Sequence, residues 1–231
     1  MSSNNFSNTK KSRLTNLRNT YRLSSHDSQD GKMIRLPRTN VSVYSMATEA
    51  YIMPEQDNFL DSFTKIQPET LEINTFKKIG TEWMLITAGT PESCNTMTAS
   101  WGALGILWNK PVAFCFVRPT RHTFGFMNKH DNFTLSFFPK TMKKALEICG
   151  SVSGKDKNKI SEAGLHPLEF SESGTAFREA DLVLCCRKLY YSDINPLFFL
   201  DPSLEQNYAK RDYHRMYVGE ITGIFEGIQT I

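Results

Sequence analysis

Between Asn95 and Thr123 the chain reads Asn-Thr-Met-Thr-Ala-Ser-Trp-Gly-Ala-Leu-Gly-Ile-Leu-Trp, then Asn-Lys-Pro, then Val-Ala-Phe-Cys-Phe-Val-Arg-Pro-Thr-Arg-His-Thr. Two apolar, strand-like runs flank a turn at Asn109–Pro111. The first opens on small polar residues, and the second ends in two arginines and two threonines. Small residues let a flat ring lie close to strand backbone. A guanidinium beside hydroxyls suits a phosphate. These residue types predict a hairpin that seats a planar ring carrying a phosphate, and flavin mononucleotide (FMN) has both parts.

Each part of this constellation has a functional and a plainer reading. Side chains of Asn95, Thr98 and Ser100, with the backbone N–H groups of Thr98–Trp101, suit a flavin's pyrimidine edge, and Trp101 suits its ring. The alternative is a barrel strand with Thr and Ser on its wet face. Arg118 and Arg121, at the start of a helix opening near Thr123, suit a phosphate; the alternative is a charged turn at a strand end. Ser151-Val-Ser-Gly-Lys155 resembles a small phosphate cradle of hydroxyls, a permissive glycine and a cation, or else a solvated loop. His214, just before the last strand, is placed either to meet flavin or nicotinamide and shuttle a proton, or to act as a structural histidine. Cys149 lies near the ring or is an inert buried thiol.

The elements that must position these residues follow from pattern. Trp83–Gly89 reads as a buried strand, Thr90–Asn95 as a polar loop, and Met97–Trp108 and Val112–Val117 as two strands. A helix is expected over Arg121–His130, a strand over Phe133–Phe138, and helices over Thr141–Cys149 and Ile160–Ala163. Asp181–Tyr191 and Met216–Phe225 read as strands around an aromatic loop at Pro196–Tyr208, and Pro68 as a first-turn proline. Six or seven strands, mostly following one another, with two or three small helices, predict a mostly β fold: an antiparallel barrel or sandwich. The dinucleotide fingerprint, the Walker loop, H-E-x-x-H and G-x-S-x-G are all absent.

Composition sets the frame. Of the 27 Lys and Arg and 24 Asp and Glu, eight and four fall in residues 1–55, so 19 and 20 remain beyond them. The basic balance belongs to the N-terminal stretch, and nothing calls for nucleic acid. Residues 1–55 are rich in Ser, Asn and Arg without a steady period, and are expected to be disordered. They read as a non-native extension, with translation starting at Met46 or Met53, or as an organelle transit peptide. Residues 56–231 form the folded domain. Five cysteines without metal spacing, and no apolar run near the roughly 20 residues of a membrane helix, predict a reduced, cytoplasmic protein without metal or membrane span.

Seven segments, in order, resemble the flavin reductase-like family, which includes flavoredoxin: Trp83–Gly89, Asn95–Gly102, Leu107–Pro111, Val117–Thr123, Phe133–Phe138, Cys149–Gly154 and Asp212–Ile221. The resemblance implies an FMN-binding split barrel that forms a homodimer with FMN near the subunit interface. It places Asn95 and the backbone of Thr96, Met97, Thr98, Ala99, Ser100 and Trp101 against the isoalloxazine. Arg121 and Thr123 hold the phosphate, with Arg118 nearby, and Ser151, Ser153 and Lys155 close that side. His214 is the catalytic candidate. The implied activity is NAD(P)H-dependent flavin reduction, with NADH or NADPH as donor. The alternatives are an electron carrier serving a redox partner protein, or a flavin-binding module without turnover.

Overall fold

The computed structural model describes residues 62–170 and 174–228, so the expectations for residues 1–55 lie outside the described part. Among the described residues there are ten strands: β1 (Phe63–Ile66), β2 (Met84–Thr90), β3 (Ser93–Ala99), β4 (Gly102–Leu107), β5 (Lys110–Val117), β6 (Asn132–Phe137), β7 (Pro167–Glu169), β8 (Thr175–Phe177), β9 (Leu182–Asp193) and β10 (Arg215–Gly227). Eight of them form one sheet in the order β3-β2-β6-β9-β10-β5-β4, with β1 also paired to β10. Every pairing is antiparallel. The helices are α1 (Thr75–Lys77, running into a π turn over Lys78–Glu82), α2 (His122–Lys129), α3 (Lys143–Ser151) and α4 (Lys159–Glu162).

Leu182–Cys186 in β9 is buried at five successive residues. Alternation is lost because both faces of the sheet are covered. Leu184 and Cys186 join the inner core with Met97, Phe133 and Tyr217. Val183 and Cys185 join a second core with Leu146, Cys149, Phe170 and Phe177. Cys185 and Cys186 therefore face opposite sides of the strand.

The expected strand Met97–Trp108 is in fact two. β3 pairs with β2, and β4 pairs with β5 at the other edge of the sheet. One straight strand cannot serve both edges, so the chain breaks at Ser100–Trp101. Gly102 admits this crossing, since a Cβ there would sit 2.8 Å from the Phe114 carbonyl oxygen. The following turn is at Trp108–Asn109, both with positive φ (53° and 57°), as a two-residue hairpin requires. Pro111 lies inside β5, opposite Ile106. Ser93–Asn95, expected as loop, opens β3 because β2 supplies its partners. The short strands β1, β7 and β8 and the α1 region carried no readable period.

Candidate functional site

β3 is the last strand on its side of the sheet. Among the described residues its outward N–H and C=O groups have no strand partner, the feature a ligand's polar ring edge needs. Met97–Trp101 line a cavity of about 170 Å³ with Phe116, Arg118, Arg121 and His214. Thr98 and Ser100 also line a second cavity of about 420 Å³ with Trp83, Leu146, Glu147, Gly150 and Ser151. Arg121, which precedes α2, joins the two: its guanidinium donates to the Gly150 carbonyl oxygen over 2.8 Å. The smaller cavity is below the roughly 300–1,000 Å³ of small-molecule sites, and the pair together is within it. Outward amides of the strand edge, the Ser100 hydroxyl, an aromatic wall and a guanidinium form a donor set that fits FMN, whereas the Thr98 hydroxyl, expected to face the flavin, donates to the Leu146 carbonyl oxygen.

A network fixes His214. Its Nδ1 lies 3.0 Å from the Tyr208 hydroxyl, and its ring centroid 5.0 Å from that of Trp101. Burial pushes its pKa down to about 4; Arg118 and Arg121 push the same way and Asp212 opposes them. The imidazole is therefore neutral at pH 7. Arg118 donates to Asp212 over 2.7 Å and to the Asn207 carbonyl oxygen over 2.8 Å, and lies over the Tyr208 ring. It fastens the 207–212 segment that leads into His214.

The description "Flavin reductase like domain" fits residues 76–226, well over half of the chain. The chain belongs to the flavin reductase-like family. Curated proteins give no match. Among solved structures, the chain is similar to an FMN-binding domain of a flavin reductase-like enzyme from Shewanella baltica (15% identity, 71% of this chain and 76% of that one, TM-score 0.52). It is also similar to a flavoredoxin from Methanosarcina acetivorans (19%, 70% and 77%, TM-score 0.52) and an FMN-binding protein from Thermus thermophilus (17%, 70% and 80%, TM-score 0.51). At these identities the likeness shows the fold: the antiparallel split barrel of the flavin reductase-like family.

Within this flavin reductase-like domain the residues singled out from sequence do not all meet. Met97, Thr98, Ala99, Ser100, Trp101, Arg118, Arg121 and His214 share one cavity. Thr96 is fully buried, its hydroxyl bonded to Thr87 and to the Ile86 carbonyl, so only its backbone is at the edge. Asn95 is buried and donates to the Thr123 hydroxyl, itself buried, over 2.6 Å. The Asn95 Oδ1 occupies the space a Cβ on Gly154 would fill. Asn95 and Thr123 thus bind β3, α2 and the Gly154 loop to each other. Ser151 donates to Glu147, and the Ser153 hydroxyl accepts from the Lys155 amide.

Lys155 is exposed and, with Asn95, lines a separate cavity of about 650 Å³. Lys159 is the buried lysine of the basic run, donating to the Cys149 and Val152 carbonyls. Burial lowers its pKa, against Cys149 and with Arg121. Nothing in the Lys-Asp-Lys-Asn-Lys pattern marks that one lysine, apart from the Ile after it. Trp83 and Tyr208 were also missed. Cys149 is fully buried with its thiol pushed up to about 11, which makes it inert.

Proposed function

We propose that the protein binds FMN along the edge of β3 and catalyses reduction of flavin by NADH or NADPH. The observation that carries this reading is the pair of cavities meeting at Thr98 and Ser100, with Arg121 tied across the joint. Bound FMN supplies the chemistry of accepting hydride at N5. The chain's own residues do the rest. The outward-facing amides of the Thr98–Trp101 stretch receive the pyrimidine edge, and their N–H groups favour added negative charge there. Arg121, which among the described residues donates from its guanidinium to Gly150 alone, holds the phosphate. Neutral His214 brings a ring without charge beside Trp101, and its Nε2 serves as a hydrogen-bonding atom rather than a cation. Trp101 excludes water from one side of the ring.

The site is open on one side, and the exposed apolar residues Ile106, Leu197, Phe198 and Leu200 support a homodimer that closes it. The purified protein should be yellow, release FMN on denaturation and oxidise NADH or NADPH when FMN is present. Arg121→Ala should weaken FMN binding by about 1.5–3 kcal/mol, the scale of one charge-assisted bond. Flavin that is retained while neither nucleotide is oxidised would point to an electron carrier instead. Colourless protein that does not quench added FMN removes both readings.

A further inference from the structure

Trp83 stands immediately before β2 with φ 73° and ψ 168°. Few residues other than glycine hold such a backbone, and those that do gather at ligand sites. Three observations meet at this residue. The backbone is held in an unfavourable region by a large side chain. The indole has the Lys143 ammonium 3.0 Å from its ring centroid, and that same ammonium donates to the Thr81 carbonyl oxygen over 2.9 Å. The ring also borders the larger cavity, whose lining includes the Thr98 and Ser100 that wall the smaller one.

A glycine before β2 would relieve the backbone, and a small apolar side chain would seal the helix α3 junction. Neither would present an aromatic ring to the cavity. The clamp from Lys143 fixes the ring's orientation from one face, as a stacking platform requires. We propose that Trp83 is the second aromatic wall of the flavin site, placed across Thr98 and Ser100 from Trp101. This inference rests on the FMN reading above. It adds that the isoalloxazine extends out of the 170 Å³ cavity, too small to hold it, into the larger one beside Trp83. Trp83 then sets which planar rings are accepted, and is a specificity-determining residue for the ring rather than for the phosphate.

The test uses the full chain in a Trp101→Phe background, so that Trp83 is the indole nearest the site. Indole in contact with a flavin quenches its fluorescence. At saturating FMN, Trp83→Leu should brighten the bound flavin, and it should raise the Kd for FMN by roughly three- to tenfold, the loss of one aromatic contact. Binding of inorganic phosphate as competitor should not change. Lys143→Met, which leaves the indole in place and frees its orientation, should shift the visible spectrum of bound FMN and raise its Kd about two- to threefold. It also serves where Trp83→Leu folds poorly. FMN bound with unchanged Kd and unchanged quenching in both variants overturns the role of Trp83 and leaves the flavin reading standing. Failure of the parent protein to bind FMN overturns both.

Discussion

His214 is the residue whose chemistry is most displaced from its free behaviour. A histidine that stays neutral down to about 4 in the folded chain, against about 6.5 unfolded, binds protons more readily when unfolded. Stability is therefore full above about pH 6.5 and falls as pH drops through 4, by about 3 kcal/mol in total. His214→Gln should remove that slope from a series of urea titrations between those pH values. Within the same window flavin turnover should lose activity only below about pH 5, because the imidazole is uncharged above it. The acids paired with arginine act lower: Arg215 hydrogen-bonds Asp193 and holds its carboxyl below the usual range, so that pair fails at more acidic pH than His214.

Among the elements, the hairpin joining β2 to β3 sets where the edge strand begins. Gly89 has φ 115°, and a Cβ there would stand 2.2 Å from the Ser93 carbonyl oxygen. Gly89→Ala should cost about 2–4 kcal/mol, read as a lower denaturant midpoint with unchanged slope. Such pairings explain what the sequence could and could not disclose. Strong apolar runs such as Val112–Val117 and Leu182–Cys186 announced β5 and β9, since burial on both faces needs uninterrupted apolar residues. Ser-Cys-Asn at the start of β3 looks like loop in isolation, and becomes strand only because Met84–Thr90 lies beside it. The same holds at the site. Arginines near a strand end and hydroxyls near Trp101 were visible as types. Their roles were not: Arg118 turned toward Asp212, Arg121 toward Gly150, and Asn95 toward Thr123. Trp83 left no signal, because a positive φ before a strand is invisible in a run of letters.

At the scale of the whole molecule, Ile106, Trp108, Tyr190, Leu197, Phe198 and Leu200 are large apolar side chains left exposed, and Trp108 and Tyr190 are in edge-to-face contact. Exposed apolar side chains of this size suit a protein partner. The proposed dimer should appear in light scattering at twice the chain mass, and Phe198→Asp with Leu200→Asp should give a monomer with weakened FMN retention. A monomeric parent protein that binds FMN fully would remove the partner from the site. Among the described residues no helix is long and apolar enough to cross a membrane.

β10 holds the sheet together from the middle, bonded to β9 along most of its length, to β5 at its start and to β1 at its end. Among the described residues it is also the last strand in chain order. On a ribosome, where synthesis runs from the N-terminus, β5 and β9 emerge with bare edges that wait for a strand still inside the exit tunnel. A stop codon placed before Arg215 should leave a product that is protease-sensitive and insoluble throughout rather than trimmed at one end, because β5, β9 and β1 would all lack the strand they share.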